Sequence, residues 1–322
     1  TTAQYAALSS VQIAGLTTDH VTQLESTDLR ALTSSTLRGL SSDQLAALNS
    51  DQMAQLTTAQ VAALTTTQVA GLGSDDLNAL STTQFAAMTS AQAAVLTTDQ
   101  IPNLQTADLA NLSSAALRAW TTTQFDALNS VQMAALTTAQ VAALTTSQVV
   151  GLGSDDLNAL STTKSAALTT AQVCGPTTTQ LSTLVSDDLR ALTTAQYAAL
   201  SSVQIAGLTT DHVTQLESTD LRALTTSTLR GLSSDQLSAL NSDQMAQLTT
   251  AQVAALTTSQ VAGLGSDDLN ALSTTQFAAM TSAQAAALTT DQIPNLQTAD
   301  LANLSSAALR AWTTTQFDAL NS

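Results

Sequence analysis

Basic residues are scarce in this sequence: eight Lys and Arg stand against 24 Asp and Glu, a net charge of −16 at pH 7. So few cations cannot replace the counterions around a phosphate backbone, which argues against nucleic-acid binding. Cysteine occurs once, at Cys174, so neither an internal disulfide framework nor a cysteine metal site can form. No apolar run approaches the roughly 18 residues that a membrane span needs. Aromatic residues make up 2% and proline occurs three times, so any core is built mainly from Ala, Leu and Val. The chain starts at Thr1 and shows no basic stretch leading into an apolar one, so any export signal is expected to lie outside it.

What is present is a repeat. The 322 residues divide as 40 × 8 + 2, and every octad keeps one register without insertion or deletion, as in TTAQYAAL (1–8), TTAQVAAL (57–64) and GSDDLNAL (73–80). Position 8 is Leu in 35 of 40 octads, the exceptions being Met88, Trp120, Pro176, Met280 and Trp312. Position 5 is apolar everywhere except Ser165, and position 2 is Ser or Thr from Thr2 to Ser322. Position 4 is mainly Gln and otherwise mostly Asp. A longer unit overlies the octads: residues 1–192 form 24 of them, and residues 193–322 copy residues 1–130 with four differences. The chain therefore reads as one continuous array, 1–322, with an irregular joint at 161–192.

Periodicity decides the fold class. Eight residues of α-helix rotate by about 800°, roughly 80° beyond two turns, so one continuous helix would spiral its apolar stripe around itself. In a strand, positions 5 and 8 would point to opposite faces. A break in each octad resolves the conflict. Ser or Thr at position 1 and Gln or Asp at position 4, as in Thr57 and Gln60, have the spacing of a capping box. The cap falls at position 1, or at position 2, which is never other than Ser or Thr. Twenty of the 24 acids lie at positions 3 or 4 and all seven Arg at position 6, as the helix dipole favours. The expected fold is an all-α solenoid with one short capped helix per octad, positions 5 and 8 inward, and hydroxyl, Gln and Asp positions outward. Asp28, Asp76, Asp108, Asp156 and Asp188 are spaced by multiples of 16 residues, which points to two octads per coil.

Candidate sites each have a structural reading. His20 and His212 take position 4 with no second His nearby, and are read as cap residues. The pairs Asp75/Asp76, Asp155/Asp156, Asp187/Asp188 and Asp267/Asp268 lack the spacing of a calcium loop and are read as first-turn charges. Cys174, Lys164, Ser165 and Pro176 sit in the irregular joint and are read as drift, with Pro176 ending its helix. Pro102 and Pro294 mark distorted helices, and Tyr5, Phe85, Trp120 and Phe125 are core fillers at positions 5 or 8. Catalytic, cofactor and metal residues are expected to be none, and the protein is expected not to be an enzyme.

The octads TTAQVAAL, SSDQLAAL and STTQFAAM resemble the LTTxQ and LTPEQ arrays of very large bacterial surface and secreted proteins described as adhesin-like. The resemblance spans the chain, although the Pro that the LTPEQ form carries at position 2 is absent. It implies an extracellular, non-enzymatic segment of a fibre, filament or adhesin stalk, with self-association as the expected partnership. Neither end carries an atypical capping octad, which fits a window of a longer array. The alternative is a binding module presenting a Thr, Ser and Gln surface to a glycan, a host protein or ice.

Overall fold

The structure, a computed structural model, describes residues 1–321; the position-2 hydroxyl of Ser322 lies outside the described residues. Among them are 38 α-helices of four to six residues and no strands. Each octad contributes one helix, except that Thr97–Leu104 and its copy form the 3-10 turns Ile101–Asn103 and Ile293–Asn295. These two octads carry Pro102 and Pro294, whose rings remove the amide that an α-turn would use there.

The helix starts at position 2 and its N-cap is position 1. Thr57, for example, has an extended backbone, and its Oγ1 accepts the Gln60 amide at 3.1 Å while Gln60 Oε1 accepts the Thr57 amide at 2.8 Å. Both arms of the capping box are thus closed. Glu25, Gln105 and Val185 occupy N-caps without a side-chain cap bond. At the other end the chain leaves the helix at position 7 or 8, as at Leu64 (φ −54°, ψ 143°), which turns it into the next cap.

The chain forms two compact units, Thr1–Ala167 and Leu168–Ser322, and passes from one to the other inside the irregular 161–192 stretch. Within the first unit, Thr58–Ala63 packs against Ser34–Leu37 and Thr82–Ala86. Within the second, Thr250–Ala255 packs against Thr226–Leu229 and Thr274–Ala278. Neighbours are therefore three octads apart along the chain, and side-chain hydrogen bonds between coils span 25 to 31 residues. One superhelical turn takes about 28 residues, or 28/8 = 3.5 octads. This corrects the expectation of two octads per coil. The Asp spacing carries no geometric information about the coil. What sets it is the reach of one side chain, described below.

Positions 5 and 8 line the core as expected. In the second unit Tyr197, Ile205, Val213, Leu221 and Leu229 are fully buried, with the position-8 leucines close behind. Of the two identical octads TTAQYAAL, the second holds Tyr197 fully buried with its hydroxyl donating to Leu189 O at 2.7 Å, and the first holds Tyr5 partly exposed.

Size is balanced across coils. Ala93 is small where position 5 is usually large, and Trp120, in place of Leu 27 residues on, donates its indole N–H to the Ala93 carbonyl at 2.9 Å. Trp120 also meets Phe125 edge to face, with centroids 5.5 Å apart. Trp312, Ala285 and Phe317 repeat the arrangement. Trp120→Leu and Ala93→Val should each destabilise the first unit. Their double-mutant cycle in denaturant unfolding should show a favourable coupling of about 1 kcal/mol or more; additive effects would refute the compensation.

Candidate functional site

A helix of five or six residues leaves most of its carbonyls without an intrahelical partner, so the array must satisfy them from elsewhere. Position 4 does this. The Gln60 carboxamide uses Oε1 to close its own cap, and its Nε2 donates to the carbonyls of Leu29 and Leu32, both at 2.9 Å, 31 and 28 residues earlier. Gln140 does the same to Leu109 (2.9 Å) and Leu112 (2.8 Å), and Gln252 to Leu221 and Leu224 (both 2.9 Å). From Gln44 onward every position-4 Gln is only 2–6% exposed. This overturns the outward placement of Gln, and with it the Gln part of a presented binding surface. A group that both caps one helix and terminates another cannot face solvent.

Substitutions at position 4 are explained by this ladder of amide bonds. His212 accepts the Thr209 amide on Nδ1, so Nε2 carries the hydrogen and approaches Leu184 O at 2.9 Å; the imidazole does both jobs of Gln. His212 is therefore buried rather than solvent-facing, while His20 is exposed. Thr228 Oγ1 reaches Leu200 O at 2.8 Å, and Thr36 reaches Leu8 O at 2.7 Å. A hydroxyl is shorter than a carboxamide, so these rungs draw the coils together. Position 7 of the same octads is glycine: a Cβ on Gly231 would lie 2.3 Å from the Ser202 carbonyl oxygen, and one on Gly39 2.4 Å from that of Ser10. Lys164 donates to the Ala134 carbonyl from the same slot. Ala116 has no donor, and Trp120 of its own octad serves the Ala93 carbonyl; Gln124 then bonds Ala94 and Leu96.

Aspartate at position 4 has no donor when ionised. Asp76, Asp156 and Asp268 turn an oxygen back to the N-cap amides of Gly73 (3.0 Å), Gly153 (3.0 Å) and Gly265 (2.9 Å). Burial raises all three carboxyl groups above the ordinary range, and the glycine N–H groups partly offset this. Three of the four Asp pairs therefore contribute an N-terminal cap. Asp188, of the fourth pair, is buried. Burial pushes Asp108 up to about 6, and burial with the Glu217 charge does the same for Asp220.

The remaining candidates do not converge. Cys174 is exposed, its Sγ–H directed at the Ala199 carbonyl (3.0 Å). Ser165 is buried and donates to Ser161 O at 3.3 Å. Pro176 keeps its carbonyl on the ladder, accepting from Gln204 Nε2 at 3.2 Å. Position-1 hydroxyls are committed to caps, and some position-2 hydroxyls bond the next coil, as Ser42 does to Thr67 O at 3.1 Å. Among the described residues no three of His, Cys, Asp and Glu are grouped so as to hold a metal ion, and no helix is long and apolar enough to cross a membrane.

Eight stretches match the ALTTAQ repeat: residues 21–58, 69–106, 101–138, 149–186, 184–218, 213–250, 261–298 and 293–322. The chain belongs to the ALTTAQ repeat family. No curated protein matches it. The hexapeptide itself, as Ala135–Gln140, covers the helix junction: Leu136 closes one helix, Thr137 caps the next, and Gln140 is the rung donor. The ALTTAQ repeat thus names the segment that joins helix to helix along the chain and coil to coil across it.

Proposed function

We propose that this ALTTAQ array is a non-enzymatic structural segment of an extracellular bacterial fibre, filament or adhesin stalk. The observation that carries the reading is the ladder. The recurrent polar side chain of the repeat is spent on joining each coil to the one before, with Gln60, Gln140 and Gln252 all turned inward to backbone carbonyls. Such a design extends by adding octads, because a new coil needs only carbonyls, which every residue supplies. The strongly acidic balance suits a solvated outer surface and opposes collapse of neighbouring arrays onto one another. Self-association into fibres would then use the outward positions 2, 3 and 6.

The test is immunolabelling of intact cells that make the protein, with an antibody raised to the array, combined with external protease treatment. Labelling of filaments or stalks outside the cell, lost on proteolysis, is the expected result. Labelling only after the cells are opened would overturn the reading.

A further inference from the structure

We infer that Asp108 and Asp300 are proton-operated rungs: each ionised carboxylate leaves a gap in the ladder, and each protonated carboxyl donates Oδ2–H to the carbonyl 28 residues earlier, Leu80 or Leu272. In both copies Oδ2 is buried without a hydrogen-bond partner, and both residues are only 2% exposed. Both stand in the slot from which Gln100 and Gln292 reach the carbonyls 28 residues back, at 2.7 Å in each case. Local geometry confirms the register. Gln105 Nε2 reaches Asn78 O at 3.3 Å, and Gln297 Nε2 reaches Asn270 O at 3.3 Å, so the N-terminus of each Asp helix lies over residues 77–80 and 269–272. Asn78 Oδ1 also accepts the Gln105 amide at 3.1 Å, which leaves that amide unavailable to Asp108. The Asp108 carboxylate therefore lacks the N-cap contact that Asp76 enjoys.

Few charges face the site. The helix Thr106–Asn111 packs against Thr82–Ala86 and Ser130–Ala135, neither of which has a titratable side chain. Thr298–Asn303 packs against Thr274–Ala278, which has none either. The helices ending below the two carboxyls, Ser74–Ala79 and Ser266–Ala271, carry Asp75, Asp76, Asp267 and Asp268, so any further influence also favours the protonated form. Burial alone places Asp108 near 6 and raises Asp300 in the same direction. For a carboxyl group raised in the folded chain, stability is complete below the unfolded value of 3.8 and is lost as the pH rises through about 6. The array should tighten on acidification, in the opposite sense to a protein held by ionised carboxylates.

The experiment follows the intact chain by ¹³C titration of the Asp108 carboxyl and by amide exchange over 106–111, corrected for intrinsic rates. Asp108→Asn supplies a permanent donor, and Asp108→Ala removes the charge without supplying one. Titration near 6 is expected, together with about tenfold or greater protection at pH 4.5 than at pH 7. At pH 7 the Asn variant should be several-fold better protected than the Ala variant, and its protection should no longer depend on pH. Titration near 4, or Asn no better protected than Ala, would overturn the inference. Should either variant fail to fold, the titration of the native carboxyl still decides.

Discussion

Gln252→Glu should cost the second unit about 3 kcal/mol or more at pH 7, measured as the fall in urea unfolding free energy. Glu keeps the oxygen that accepts the Thr249 amide at 2.9 Å, but it replaces Nε2 by a second oxygen opposite the carbonyls of Leu221 and Leu224. Two bonds become two repulsive contacts, and a charge is buried without a partner. Gln252→Met, which fills the space and bonds nothing, should cost about 2 kcal/mol by leaving the Leu224 carbonyl and the Thr249 amide unpaired, while Leu221 O keeps only the Leu224 amide. The ordering of the two variants is the informative part. If Gln served only as a cap, Glu, which can also close a capping box, would be nearly neutral. The Glu variant should also recover as the pH falls. A carboxyl raised in the folded state regains its proton first, and the protonated acid can donate where the amide did. A Glu variant as stable as the parent at pH 7 would remove the ladder from the account.

Gly231→Ala should destabilise the second unit by about 2 to 4 kcal/mol, and Gly263→Ala by less. Among the described residues no glycine has a positive φ, so conformational freedom is not the reason for either residue. At Gly231 the new Cβ would meet backbone: Ser202 O at 2.3 Å and its carbonyl carbon and Cα at 2.8 Å, and none can step aside without moving a coil. At Gly263 the obstacle is chiefly the side chain of Ser234, with Cβ at 2.8 Å and the backbone Cα at 3.8 Å. Thermal unfolding of the two variants ranks them directly. Equal effects would show that the short Thr228 rung does not draw the coils together.

What was legible in the sequence was local. The cap at Thr57, the apolar stripe of Val61 and Leu64, and the distortion at Pro102 all depend on residues within one octad. The second half of the Gln chemistry was hidden because its partners are backbone carbonyls 28 to 31 residues away, and a carbonyl leaves no mark on residue identity. The coil length was hidden for the same reason. Of the aspartates chosen to estimate it, Asp76 and Asp156 turn back to cap Gly73 and Gly153 within their own octads, so a spacing in multiples of 16 reports nothing about which octads touch. The variants at position 4 gave no consistent sign of its burial: His212, Thr228 and Lys164 keep a hydrogen-bond donor, whereas Ala116 and the ionised aspartates do not.

The carboxamide protons of Gln252, observed by NMR in an array labelled selectively at that residue, test the central claim most directly. Nuclear Overhauser effects to residues 221–224 are predicted, since the amide lies 2.9 Å from both leucine carbonyls there. Effects to residues around 236, sixteen earlier, would contradict it and restore a coil of two octads.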